Sequence, residues 1–248
     1  MPDLIASLLS QPATWMAIAI AAVAGTIRGI TGFGAAMVMT PPLALLLGPK
    51  VAVPVTLLLE TFAAAPMLPA AARQARWPVL VPISAAAIVC VPVGSVLLTG
   101  ADPTILRRLI AAIVIVFSLM LLSGLRYGGG QRLGTSIGLG ALSGTMLGAT
   151  SIGAPPIILY LLSGPDPVAV SRAGLTLYVV VISATGLVAL TVAGAITAPV
   201  LAVAALMTPL FVLGVVLGSR LFSRFSDQRF RQFTIGFMLL VSTGVLFA

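Results

Sequence analysis

The 248-residue chain has no histidine, one cysteine and five acidic residues, and only 7% of its residues are charged. Without histidine, imidazole haem ligation, histidine-zinc sites, Ser-His-Asp triads and histidine proton relays are excluded. The single Cys90 can form neither an intrachain disulfide nor a CxxC site. No convincing nucleophile–base pair remains, so an enzyme is the weakest function class. No catalytic residue is assigned, and neither a metal nor a cofactor is expected. The scarcity of charge excludes more still. Soluble domains carry about 25% charged residues, and a surface this poor in charge does not stay in water.

Apolar residues fill the gap: 60% of the chain is hydrophobic and the mean hydropathy is +1.21. Apolar runs of about 20 residues, the length that crosses a roughly 30 Å hydrocarbon core, follow one another along nearly the whole chain. An all-α polytopic membrane protein is expected, with the lipid bilayer as its main partner. The pI near 11.3 does not point to nucleic acid, because the 13 basic residues are scattered between apolar segments, where loop charges set membrane orientation. Met1, Pro2 and Asp3 lack the basic n-region of a signal peptide, so the first apolar segment is expected to stay in the mature protein.

Charged or turn-rich punctuation leaves eight segments, roughly 15–47, 51–72, 77–99, 104–125, 133–163, 168–193, 197–219 and 230–247. No loop is long enough to be a soluble domain. Asp102-Pro103 and Asp166-Pro167 read as helix starts, with Asp as cap and Pro in the first turn, and Asp227 begins the last helix in the same manner. Trp15 and Trp77 lie at segment edges, as interfacial aromatics do. The chain also reads as an internal duplication. Gly25-x3-Gly29 recurs as Gly140-x3-Gly144, Pro41-Pro42 as Pro155-Pro156, Val51-Ala52-Val53 as Val168-Ala169-Val170, and Gly94-Ser95 as Gly218-Ser219. These matches keep their order, dividing the chain into homologous four-segment halves, 1–127 and 128–248.

The first segment of each half is too long for one straight span and too short for two. In the first, Gly25, Gly29, Gly32 and Gly34 precede Pro41-Pro42; in the second, Gly140, Gly144, Gly148 and Gly153 precede Pro155-Pro156. Glycine weakens a helix by about 1 kcal/mol and proline by about 3, so breaks are expected within these clusters. Inside a membrane such breaks survive only where protein or a water-lined cavity satisfies the backbone. Paired interrupted segments in two repeats point to a transporter's central binding site. The competing reading is tight small-x3-small helix packing.

These same residues carry a family resemblance. The run from Gly25 through Arg28, Gly29, Thr31, Gly32 and Gly34, followed by Pro41-Pro42 and then Val51-Ala52-Val53, resembles the TauE/SafE sulfite-exporter family, also called the toluenesulfonate uptake permeases. The chain departs from the family pattern at Ala35 and Ala36, which replace its last two glycines, and in the second copy, reduced to Gly148-Ala149-Thr150-Ser151. The resemblance covers both halves. It implies secondary transport, mostly outward, of sulfite or small organosulfonates, with other small organic anions as alternatives.

Arg28 is the sharpest single feature. A charge near the bilayer centre costs roughly 2.5–3.5 kcal/mol even on a mild scale and marks function by default, and a guanidinium fork suits sulfonate, sulfite or carboxylate oxygens. Arg28 either binds an anion directly or pairs with Glu60, the one carboxylate within an apolar segment. Glu60 in turn either carries a coupling proton or holds the bundle by that ion pair. Thr31 and Thr40 in the first motif, and Ser143, Thr145, Thr150 and Ser151 in the second, offer neutral donors beside half-helix N-termini. Each of these hydroxyls alone reads more simply as bonded to its own helix. The expected substrate-binding set is therefore Arg28, Gly29, Thr31, Gly32, Gly34, Pro41, Ser143, Thr145, Gly148, Thr150, Ser151, Pro155 and Tyr178. Tyr160 is a weaker cavity candidate, and Arg172 reads as a loop or interface charge.

Two topologies compete. If each interrupted segment is a hairpin, the repeats are inverted. One face then holds Arg73, Arg76, Arg126, Arg132, Arg172, Arg220, Arg224, Arg229 and Arg231, and the other Lys50, Arg107 and Arg108. If each is a kinked span, the repeats are parallel, and Lys50, Arg107, Arg108, Arg172 and the four arginines from Arg220 to Arg231 face the remaining four. Both place the termini outside under the positive-inside rule. Inversion is preferred because it gives alternating access a symmetric mechanism. The expected setting is a bacterial-type inner membrane. A coupling ion, proton or sodium, and a homodimer stand open as partners. A carrier is the first function class, an anion-selective channel the second and a purely structural membrane subunit a further one.

Overall fold

The computed structural model describes residues 2–31, 34–123, 127–221, 236 and 242–245. Among these the regular structure is helical, with no strands. The order is α1 (Pro2–Leu9), α2 (Pro12–Thr31), α3 (Ala35–Leu47), α4 (Pro49–Ala64), a 3-10 turn (Ala65–Met67), α5 (Leu68–Gln74), α6 (Trp77–Gly100), α7 (Pro103–Leu122), α8 (Leu133–Thr150), α9 (Ala154–Leu162), α10 (Val168–Val192) and α11 (Ala198–Leu221). Among the described residues six stretches are long and apolar enough to span a bilayer: Pro12–Ile30, Pro49–Gln74, Trp77–Gly100, Pro103–Met120, Ala169–Val192 and Ala198–Arg220. The protein is a polytopic helical membrane protein. Most of the expected last segment, Asp227 and the basic residues Arg126, Arg224, Arg229 and Arg231 lie outside the described residues.

The segments expected to be interrupted are interrupted, and within the glycine clusters, near the C-terminal end of each: α2 ends at Thr31 and α3 starts after Gly34, while α8 ends at Thr150 and α9 starts after Gly153. The first break follows Thr31, and Gly34 turns the chain with φ 89° and ψ 0°, a left-handed conformation that glycine adopts without the Cβ penalty. The second comes at Ser151, with φ 60° and ψ 1°, the one non-glycine with positive φ among the described residues. Pro41 and Pro42 lie inside α3 and do not break it, while Pro155 and Pro156 occupy the first turn of α9, where a missing N–H is harmless.

The glycines of α2 and α8 serve a different purpose. A methyl at Gly25 would overlap the Phe211 carbonyl, and one at Gly29 would overlap that of Val215. On the other side Gly140, Gly144 and Gly148 lie against the carbonyls of Ile83, Ala87 and Val91. Reciprocally, Gly218 meets Thr26 and Gly94 meets Thr145. The backbones of α2 and α11, and of α6 and α8, are thus in direct contact, the close approach that small residues permit in membranes. Because residue numbers rise together across both contacts, each pair runs parallel.

Side-chain contacts fix how the broken segments run. At one end of the bundle Arg76 donates to both oxygens of Asp166, at 3.0 and 3.1 Å, and to Gln131 at 3.4 Å. There too the Tyr127 N–H donates to Ser163 Oγ at 2.9 Å, and Ser136 and Tyr160 share a hydrogen bond of 2.7 Å. The end of α9 therefore lies beside the start of α8: this segment is a hairpin that returns to its own side. At the opposite end Lys50 Nζ donates to the Thr99 carbonyl at 2.8 Å and Arg107 Nε to that of Ala44 at 3.1 Å. The end of α3 thus sits with the end of α6, on the side where α10 finishes and α11 starts. As α2 runs parallel to α11, it enters from that same side, and α2–α3 is the opposing hairpin. The two broken segments enter from opposite faces, the inverted arrangement. Among the described residues Arg73, Arg76, Arg132, Arg172 and Arg220 fall at one end and Lys50, Arg107 and Arg108 at the other.

Asp102 caps α7 as expected, its carboxylate accepting from the Thr104 N–H at 2.7 Å; this bond holds the carboxyl below the usual aspartate range. Asp166 does not cap α10. Pro167 occupies that place without a side-chain cap, and the Asp166 carboxylate is turned to Arg76 instead. Trp15 and Trp77 are exposed near the starts of α2 and α6, their indole N–H groups donating to the carbonyls of Leu9 and Ala72.

Candidate functional site

The tips of the two hairpins meet inside the bundle. Thr40 on α3 shares a 2.7 Å hydrogen bond with Ser151 at the opposite tip and donates to Thr56 on α4 at 3.3 Å. Beside this bridge lies a cavity of about 30 Å3, which holds about two waters where one needs about 10–15 Å3. Its walls are Arg28, Gly34, Ala36 and Met37 from the first hairpin, Glu60 from α4, Leu147 and residues 151–155 with Ile158 from the second, and Leu175, Thr176, Val179, Ile182 and Ser183 from α10.

Arg28 and Glu60 supply the charge. The guanidinium Nη1 lies 2.5 Å from Glu60 Oε2, and the two residues are 6% and 5% exposed. Pairing neutralises both where an isolated charge is costly. The pair is incomplete on the acidic side, because Glu60 Oε1 is buried with no hydrogen-bond partner among the described residues. Two helix starts also face the cavity. Neither α3 nor α9 has a side-chain cap, and the first N–H groups of a helix have no partner within it. In α3 these belong to Ala35, Ala36 and Met37. In α9 prolines at positions 155 and 156 leave Ala154 as the main donor. The first hairpin is therefore the better equipped for a negative ligand.

Of the expected site residues, Arg28, Gly34, Glu60, Ser151 and Pro155 line the cavity. Gly29 and Gly148 lie at the helix crossings, and Pro41 is buried within α3. Thr145 and Thr150 donate to the carbonyls of Ala141 and Met146 in their own helix. Ser143 instead joins elements, donating to the Gly153 carbonyl and accepting from Tyr178 Oη at 2.6 Å. Tyr160 is bonded to Ser136 and packs on Tyr127 with ring centroids 5.3 Å apart, outside the cavity wall. Thr31 ends α2 with its side chain outside the described set, as is the whole of Gly32. The hydroxyl-bearing wall residues not expected are on α10, where Thr176 and Ser183 stand two helical turns apart on the cavity face. Arg172 is exposed in the first turns of α10.

Opposed re-entrant hairpins meeting over a buried charge pair follow the plan of secondary transporters, with irregular backbone only where protein encloses it. Residues 17–245, nearly the whole chain, match the family Sulfite exporter TauE/SafE, and the chain belongs to that family. Its class of function is membrane transport. No curated protein and no solved structure matches the chain.

Proposed function

We propose that the protein is a secondary transporter exporting sulfite or a small organosulfonate or organic anion by alternating access, with the anion held by Arg28 between the hairpin tips. The observation that carries this reading is Arg28 itself: a buried guanidinium in the wall of a cavity enclosed by two opposed hairpins. The uncapped start of α3 adds N–H donors and the positive end of a helix dipole. Halves 1–127 and 128–248 are read as homologous inverted repeats, so that exchanging their conformations interconverts the inward- and outward-open states about a pseudo-two-fold axis in the membrane plane. The basic end of the bundle is assigned to the cytoplasmic side of a bacterial inner membrane and the termini to the outside.

The test is flux. Purified protein in liposomes is loaded with sulfite or isethionate, and efflux is followed with and without the same anion outside. Saturable efflux that is accelerated by external anion supports a carrier. Non-saturating flux without such exchange supports the channel reading, and no flux of either anion removes the substrate assignment.

A further inference from the structure

We infer that Glu60 is the coupling site for a proton: an incoming anion takes Arg28 from Glu60, and the released carboxylate accepts a proton at Oε1, so that anion and proton cross together. This inference rests on the anion-carrier reading and specifies its coupling. Three observations lead to it.

The cavity is small and its guanidinium is already engaged by Glu60 Oε2. A sulfonate or sulfite head reaching Arg28 therefore competes with Glu60 rather than filling vacant space. Secondly, Glu60 Oε1 is buried and unpartnered among the described residues, so the carboxylate leaving Arg28 finds no second donor waiting. Thirdly, among the described residues the surroundings supply no other compensating charge. Arg28 comes from α2. From α10 the cavity face brings Thr176 and Ser183, while the titratable Tyr178 is bonded to Ser143. Helices α3 and α8 carry no charged residue, and α6 contributes only Cys90 as a titratable group. On α7, Arg107 is drawn to the Ala44 carbonyl and Arg108 is its chain neighbour at that same end. Arg172 and Arg220 lie at the opposite end, on α10 and α11.

Charge conservation then sets the stoichiometry. The empty site holds one positive and one negative charge. A bound monoanion with an ionised Glu60 leaves an uncompensated negative charge where burial is severely unfavourable, and one proton cancels it. The proton is taken from hydronium or buffer acid in the aqueous phase on the side of entry and passed along water admitted with the anion. It forms an O–H bond at Oε1, and returns to the aqueous phase on the other side when the anion leaves and Glu60 rejoins Arg28. Loaded and empty sites are both neutral, so a monoanion crosses with one proton and no net charge. Direction is set by the summed anion and proton gradients. Among the described residues of the second half the matching tie, Ser143 to Tyr178, joins two hydroxyls and carries no charge.

The test uses the full-length protein in liposomes with a pH-sensitive dye inside and isethionate as probe, because a sulfonate carries no exchangeable proton of its own near neutral pH. The expected result is one proton entering per isethionate, the same rate in sodium-free choline medium, and no response to an imposed potassium-diffusion potential. In Glu60→Gln, checked for folding by size-exclusion chromatography, the acidification is lost and the remaining flux responds to the potential. Wild-type isethionate flux without acidification, or acidification that persists in Glu60→Gln, overturns the inference and leaves the carrier reading standing. Absence of both isethionate and sulfite flux in the wild type overturns the carrier reading, and the inference falls with it. The wild-type stoichiometry decides the matter even if the variant does not fold.

Discussion

Arg28 and Ser143 hold matching places in the two hairpins: each immediately precedes the second glycine of a Gly-x3-Gly pair. Each is also bonded to the long helix that follows its own hairpin, Arg28 to Glu60 at 2.5 Å and Ser143 to Tyr178 at 2.6 Å. One tie is ionic and the other neutral. A similar joint thus occurs in both hairpins, and only the first is charged.

The two ties should differ sharply in energy. Arg28→Ala leaves a buried carboxylate without its partner, and about 3–5 kcal/mol of stability should be lost. Replacing both partners, Arg28→Gln with Glu60→Gln, removes the stranded charge and should recover much of that loss. Tyr178→Phe should cost about 1 kcal/mol, the net worth of one neutral hydrogen bond. Thermal unfolding of the detergent-purified variants gives the ranking; equal losses for Arg28→Ala and the double variant would contradict it.

The glycine crossings make a second prediction. Gly144→Ala places a methyl on the Ala87 carbonyl, and overpacking of this kind costs typically about 1–3 kcal/mol. Gly138, on the same helix, has nothing within 4 Å of an added Cβ. Gly138→Ala should therefore be neutral or gain up to about 1 kcal/mol from helix propensity. Melting temperatures moving in the same direction by the same amount would argue against the α6–α8 contact.

Membrane sidedness tests the hairpins. In a Cys90→Ala background, Gly130→Cys and Pro165→Cys should react with an impermeant maleimide from the same side of the membrane, and Lys50→Cys from the other. Gly130→Cys and Pro165→Cys labelling from opposite sides would mean that α8–α9 crosses as a kinked span.

Much of this arrangement was legible in the residues. Apolar run length identified the spans, and the Asp102-Pro103 pair marked a helix start that the structure keeps. The existence of two broken segments followed from their awkward length and paired Gly and Pro clusters. Which glycine of each cluster would mark the break did not, because glycine inside a membrane helix has two uses. At Gly25, Gly29, Gly140, Gly144 and Gly148 neighbouring backbones occupy the space a side chain would fill, so the helix persists; only Gly34 of the described glycines in these clusters turns the chain. Ser151, with no glycine's freedom, turns the other hairpin between Gly148 and Gly153, inside the cluster where a break was expected. Asp166 looked like a cap but lies within reach of Arg76, a partner distant in sequence. Charge scarcity drew attention to Arg28 and Glu60, whereas Thr176 and Ser183 were obscured among the many hydroxyls of apolar helices, most of which bond their own carbonyls.

Binding of a small anion at Arg28 is the claim on which the rest depends, and ligand-dependent stabilisation reads it most directly. Wild type and the Arg28→Gln/Glu60→Gln variant would be melted in detergent with rising sulfite, isethionate and acetate. At a hundred times its dissociation constant a ligand adds about 2.7 kcal/mol of stability. The expected result is a saturating rise in melting temperature for wild type with sulfite or isethionate, and none for the variant. Equal stabilisation of both proteins would contradict the claim, because the anion would then be bound without Arg28.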